Sequence, residues 1–222
     1  MSRRDNGEAR CRRCHVHANL CVCSFIPEPR LETRTRLVLF IHFKEDRKPT
    51  NSGRLATECL TNTEVIVRGH EDSPTPPFVA PEGTRPLLLF PSEDAVPLTE
   101  FASSTSPITL IVPDGTWRQA SKVRMRVPGL RNVQCVTLPK DTQAPTTYRL
   151  RAETREKGLA TMEAIARAFG ILEGPEVEQA MERVFRAMVE RTLWSRGEIA
   201  KSDVTCGIPE GAMQHDPRSG LD

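Results

Sequence analysis

The sequence predicts an α/β protein built on a mostly parallel sheet, and three observations lead there. The stretch ITLIVPDGTWRQ, Ile108–Gln119, is an apolar, β-branched run closed by Pro113, Asp114 and Gly115. A run of that kind reads as a strand buried on both faces, which is the habit of parallel sheets. Further short apolar runs alternate with helical patterns between residues 35 and 138, as strand–helix–strand units do. Last, Met162, Ile165, Phe169 and Leu172 recur at spacings of three and four in Ala160–Leu172, as the apolar face of a helix requires.

The elements follow in order. Residues 1–10 are polar and expected to be mobile, and residues 11–30 form a cysteine-rich knob. Thr35–Phe43 (TRLVLFIHF) is the first strand. Asn51–Leu60 is a short helix, with Thr50 or Asn51 as its N-cap after Pro49. Glu64–Val67 and Pro86–Phe90 are strands, and the loop Ser73–Pro86 between them holds five of the eighteen prolines. Pro107–Val112 is the buried strand. Trp117–Val127 reads as one basic helix stopped by Pro128 and Gly129, and Val133–Leu138 as a further strand. Pro175 suits the first turn of a second C-terminal helix running to about Trp194. Ser195–Asp222 is polar, Gly/Pro-punctuated and expected to be loosely ordered.

At 222 residues the chain can bury one substantial core with a small appendage. Its 38% hydrophobic and 27% charged content fits a soluble globular protein, and no stretch approaches the roughly 18 apolar residues of a membrane span. The start, MSRRDNGEARCRRC, contains no apolar core of a secretory signal. The expected location is therefore cytoplasmic, with reduced thiols.

The formal net charge is only +2, but its distribution is uneven. Gly115–Lys140 carries six basic residues, among them Arg118, Lys122, Arg124 and Arg126, and no acid. Thr33–Arg54 carries six more, including Lys48 and Arg54, against Glu45 and Asp46. One such run is usually a solvated face. Two runs bracketing one candidate site suggest an RNA footprint.

Cys11, Cys14, Cys21 and Cys23 form a CxxC and a CxC within thirteen residues. In a reducing compartment that spacing favours a metal over disulfides. Four thiolates complete a tetrahedral zinc site and leave no open position, so the expected zinc is structural. His15 and His17 could compete as ligands. Cys59, Cys135 and Cys206 are scattered and read as small apolar residues. The expected organisation is a zinc knuckle with a flexible start over 1–30, an α/β domain over 31–196 and a polar tail over 197–222.

In open α/β sheets ligands sit outside the carboxyl ends of the strands. Asp114 lands there, with Gly115 permitting close backbone approach and Trp117 offering a stacking face. The same residues also fit an Asp-Gly turn beside a packed Trp.

Several motifs in order resemble the DTW-domain proteins: the cysteine cluster, TRTRLVLFIHFKEDRKPTNSGRLA (Thr33–Ala56), LLLFPSEDA (Leu87–Ala95), VPDGTWRQASK (Val112–Lys122), YRLR (Tyr148–Arg151) and GLATMEAIA (Gly158–Ala166). The signature residues are Asp114, Thr116 and Trp117. The resemblance covers about Cys11 to Leu172 and implies a SPOUT-like fold with a C-terminal trefoil knot. It implies a tRNA-uridine aminocarboxypropyltransferase, which transfers the 3-amino-3-carboxypropyl group of S-adenosylmethionine to N3 of a uridine. Cofactor walls would come from the loops after three strands: Phe90, Pro91 and Ser92; Gly115; Leu138, Tyr148 and Leu150; and Thr161. Asp114 would take or share the N3 proton or orient the base; otherwise it fixes its loop. Glu163 is either a second active-site carboxylate or a first-turn helix residue. RNA contacts would fall on Lys48, Thr50, Asn51, Arg54, Arg118, Lys122, Arg124, Arg126 and Arg149. Arg118 or Arg149 could instead pair with the cofactor carboxylate. The alternatives are a SPOUT-type RNA methyltransferase and a zinc-knuckle RNA-binding protein without catalysis. Either a monomer or a homodimer fits the sequence.

Overall fold

A computed structural model of the chain describes residues 10–46, 48, 51–70, 72–139 and 159–214. At its centre lies a six-stranded sheet: β1 (Arg36–His42), β2 (Thr63–Arg68), β3 (Arg85–Leu89), β4 (Val96–Pro97), β5 (Ile108–Asp114) and β6 (Gln134–Thr137). The strand order is β2-β1-β5-β3-β6-β4, and every pair is parallel. All seven residues of β5 are buried, as its unbroken apolar run requires.

The order places the carboxyl ends of β1, β5, β3 and β6 side by side. Short helices follow two of them: α1 (Phe43–Asp46) after β1, and α3 (Trp117–Ala120) with α4 (Val123–Arg126) after β5. On one face of the sheet, α2 (Gly53–Cys59), α5 (Thr161–Glu173) and α6 (Pro175–Ser195) pack around Leu37, Leu39, Leu110, Phe169 and Met181. On the other face Val38, Phe40, Ile111, Val123 and Val127 form a smaller core.

Three expectations change. The single basic helix over Trp117–Val127 is two helices of four residues each. The break lets Val123 and Val127 turn into the second core while Trp117 stays out against Phe90. The knob is not merely attached to the sheet domain, because Cys14, Val16, Leu20, Val22 and Ile26 join the larger core. Nor is the segment after α6 loose as far as residue 214. Thr205 donates to Glu190 through both its amide and its hydroxyl, Arg191 Nε to Gly207 O, and Gln214 Nε2 to Trp194 O. Polar side chains of α6 thus take backbone groups that the tail's composition leaves unpaired. Among the described residues, no helix is long and apolar enough to cross a membrane. The path from β6 to α5, where the implied knot would be threaded, lies outside them over residues 140–158.

The end of α5 is tied to the start of β1. Glu173 accepts from the Thr35 amide at 2.7 Å, the Arg34 amide at 3.1 Å and the Thr35 hydroxyl. Thr35 is buried, so losing the acceptor leaves a donor without water or partner. Glu173→Ala should therefore destabilise the chain by about 1–3 kcal/mol in denaturant titration. Glu173→Gln, whose amide oxygen still accepts, should cost less.

Candidate functional site at the carboxyl edge

Asp114 ends β5 at 5% exposure. A carboxylate so buried needs hydrogen-bond donors, and two distant segments supply them. Asn51 Nδ2 donates to Oδ2 at 2.5 Å, and the Thr161 hydroxyl donates to Oδ1 at 2.5 Å. Asn51 stands just before α2, and its Oδ1 accepts the Arg54 amide at 3.1 Å. One side-chain amide thus holds the first turn of α2 and the end of β5 together. Thr161 opens α5. Beside it the Met162 amide donates to Ser52 Oγ at 3.3 Å, which joins the starts of α2 and α5. Gly53 makes the approach possible, since a Cβ there would lie 2.8 Å from Asp114 Oδ2.

The signature loop turns immediately after Asp114. Gln119 Oε1 accepts the Thr116 amide at 2.7 Å, and a Cβ on Gly115 would lie 2.8 Å from that oxygen. Glycine is required at 115 by that closeness and by its φ of 154°. Trp117, 43% exposed, lies against Phe90 with ring centroids 5.0 Å apart and a 37° tilt. Pro91 is exposed, and the Ser92 hydroxyl donates to Asp94. Leu138 is buried. Phe90 to Ser92, Gly115 and Leu138 therefore follow three strands that are neighbours in the sheet.

The other expected residues separate into groups. Glu163 is buried and its Oε2 accepts the Ala160 amide at 2.9 Å, which is the geometry of a carboxylate closing the first turn of a helix. Of the expected RNA contacts, three are engaged in ion pairs within the chain. Lys48 pairs with Glu45 at 2.5 Å, Arg54 with Asp46, and Arg124 with both oxygens of Asp94 at 2.9 and 2.7 Å. The Ser92 hydroxyl and then Arg124 hold Asp94 below the usual carboxylate range. Asn51 is buried against Asp114 rather than presented at the surface. Arg118 and Arg126 are exposed and Lys122 is half-buried. Thr50, Tyr148, Arg149 and Leu150 lie outside the described residues. Sequence reasoning missed the part played by Gly53, Ser52 and Gln119. The only local signal was the helix expected over Asn51–Leu60, which begins at Gly53 with Ser52 as its N-cap.

The sulfur atoms of Cys11, Cys14, Cys21 and Cys23 all lie within 4.8 Å of one another and can hold one metal ion. Cys11 and Cys23 are 3.5 Å apart, and Cys14 and Cys21 3.8 Å, far beyond a disulfide bond. Burial raises Cys14 to about 11. It also opposes ionisation of Cys11, yet the amides of Cys14 and Arg13 and the neighbouring thiols outweigh it and bring Cys11 to about 6. The cluster docks on α6 through Arg191, which donates to Cys21 O and lies over the Phe25 ring at 5.1 Å.

Fold and site together define a parallel-sheet α/β protein with a polar cluster at the carboxyl edge and a four-cysteine knuckle on its flank. The chain belongs to the DTW-domain family, whose model matches residues 8–193. It is 27% identical over 198 residues to tRNA-uridine aminocarboxypropyltransferase 2 of Drosophila melanogaster, covering 85% of this chain and 76% of the relative. It is 29% identical over 201 residues to the protein of that name in Macaca fascicularis, covering 86% and 66%. It is 28% identical over 216 residues to tRNA-uridine aminocarboxypropyltransferase A of Arabidopsis thaliana, covering 81% and 79%. No solved structure matches the chain.

Asn51→Asp tests the centre of the cluster, because it would set two carboxylates in contact. Like charges at that distance raise one pKa, and stability tied to a raised carboxyl pKa is present at low pH and lost as pH rises through it. The variant should melt well below the parent at pH 7, and the gap should narrow on acidification towards pH 4. A constant gap would show that the Asn51–Asp114 contact does not govern the site.

Proposed function

We propose that this chain is a tRNA-uridine aminocarboxypropyltransferase, moving the 3-amino-3-carboxypropyl group of S-adenosylmethionine to N3 of a tRNA uridine with release of methylthioadenosine. The observation that carries the reading is the position of the family's signature: Asp114 lies at the carboxyl edge of the central strand, joined to Asn51 and Thr161, in a chain whose relatives bear that enzyme's name. The SPOUT-like reading is supported by the all-parallel sheet and by the return of the chain from β6 to the end of β5, where α5 begins.

The donor's sulfonium makes its attached carbons electrophilic, and orientation decides which one reacts. The residues after β3, β5 and β6 fit an adenosyl group: Phe90 and Leu138 offer apolar walls, and Gly115 brings backbone close without a side chain. Asp114 has both oxygens hydrogen-bonded, to Asn51 and to Thr161. Its role in this reading is to fix Asn51, Thr161 and the Gly115–Trp117 loop, and so to orient the uracil as N3 loses its proton. Trp117 offers its exposed ring face to a base. Glu163 keeps α5 in place. The metal of the knuckle is zinc in this reading, since sulfurs about 2.3 Å from one ion stand about 3.8 Å apart in a tetrahedron, close to the 3.5 and 3.8 Å observed.

Nucleoside mass spectrometry of tRNA incubated with enzyme and S-adenosylmethionine tests the activity. The expected product is 3-(3-amino-3-carboxypropyl)uridine with methylthioadenosine; S-adenosylhomocysteine with a methylated base would indicate a methyltransferase instead. Asp114→Ala removes both contacts and should lower turnover by about 10²-fold, the cost of misplacing the reacting groups, with less change in donor binding. Asp114→Asn can keep both contacts, because the Thr161 hydroxyl can turn and accept, and should lose less; wild-type turnover in Asp114→Ala would refute the positioning role.

Metal analysis of anaerobically purified protein should find one zinc per chain. Cys14→Ser should lower that content and the melting temperature together, as expected where metal binding and local folding are linked. Folded, metal-free wild-type protein would refute the zinc assignment.

A further inference from the structure

Arg68 ends β2 at the edge of the sheet and is 5% exposed. Its Nη2 donates to the Gln119 carbonyl of α3 at 2.5 Å, while its Nε is buried with no hydrogen-bond partner. Among the described residues no carboxylate forms an ion pair with it. Burial, followed by the nearby Arg126, acts against its charge, yet an arginine does not give up its proton in a protein. Buried charges are normally paired. This one has no carboxylate partner among the described residues, and an anion would relieve it.

The surroundings indicate which anion. Arg68 pairs in register with His42 of β1. The His42 ring stacks on Phe43 at 4.9 Å, and Phe43 meets His70 at 4.4 Å. The Lys44 ammonium lies 5.7 Å from the Phe43 ring centre. His70 is exposed, and the other two rings are partly so. A free inorganic anion has no use for a ladder of rings. A single-stranded nucleic acid does, because it carries a phosphate and a stackable base together.

We propose that Arg68, with Arg126, binds a backbone phosphate of the RNA substrate and that the His42–Phe43–His70 ladder takes an unpaired base of the same strand. The inference rests on the RNA-modifying reading above and adds a second contact region to it. Arg68 lies on the α3 side of the sheet, whereas Asp114 meets α2 and α5. The nucleotide held here therefore flanks the reacting uridine and is not the uridine itself.

Arg68→Gln removes the charge and, being shorter, also the donor to the Gln119 carbonyl. Its dissociation constant for unmodified tRNA should rise about tenfold, and the slope of log affinity against log salt should become shallower by about 0.9. Binding of S-adenosylmethionine should not change. Arg68→Lys, which keeps the charge, should recover part of the affinity. His70→Ala should weaken tRNA binding with the salt slope preserved, since stacking releases no counterions. Melting curves check that each variant folds; should Arg68→Gln fail to fold, Arg126→Gln on the exposed surface carries the slope test. Unchanged tRNA affinity and slope in the folded variant would overturn the proposal, as would a loss confined to S-adenosylmethionine. Modified uridine with unaltered affinity in Arg68→Gln would sink this inference alone. A chain that forms no modified uridine yet loses tRNA affinity in Arg68→Gln would sink the transferase reading alone.

Discussion

The rest of the site depends on one buried carboxylate. Asp114 is dehydrated by its place at the end of a strand buried on both faces, and its charge is tolerable only with donors close by. Those donors come from residue 51 and residue 161, so three remote parts of the chain converge on two oxygens. The starts of α2 and α5 gather there too, and each helix begins with amides that favour a nearby negative charge. Gly53 and Gly115 are the concessions in shape that let the segments meet. The signature loop is thus held from behind, and its exposed element, the Trp117 ring, is left at the surface with Phe90 beneath it.

Five of the six strands and both long helices were legible in the sequence because each carries its own signal. β5 is an uninterrupted apolar run, α5 has its three-and-four spacing, and α6 opens on Pro175. The two-residue β4 has no such signal and exists only because β6 lies beside it. In the site, the position of Asp114 could be read from its strand and turn, and the four cysteines from their spacing. What could not be read was tertiary pairing. Lys48, Arg54 and Arg124 look free in sequence but meet Glu45, Asp46 and Asp94 in space. Arg68, at the end of an ordinary strand, carries no mark of its burial beneath α3. Glu163 had two readings of equal standing in sequence; in space its carboxylate accepts the Ala160 amide at the start of α5.

The knuckle shows how a small metal-binding segment and a larger domain can share one interior. Val22 and Leu20 belong to the same apolar cluster as Leu110 and Phe169, while Arg191 binds the knuckle to α6 by its polar side. Arg191 also bonds Gly207, so a single arginine of α6 clasps segments from both ends of the described chain. Ordering of the cysteines and ordering of α6 are therefore coupled through contact, not through sequence.

The dependence of Asp114 on residue 161 has a consequence for the order in which the protein can mature during synthesis. The central pairing of β1 with β5 joins residues about seventy positions apart, and the polar cluster waits for a donor nearly fifty positions later still. A nascent chain that has emerged only through β6 possesses its sheet strands but neither α5 nor α6, and the apolar face those helices cover is bare. Nonlocal parallel pairing is slow to form and exposed to aggregation. Residues 161–195 must therefore leave the ribosome before the sheet has the cover of α5 and α6 and Asp114 the Thr161 hydroxyl.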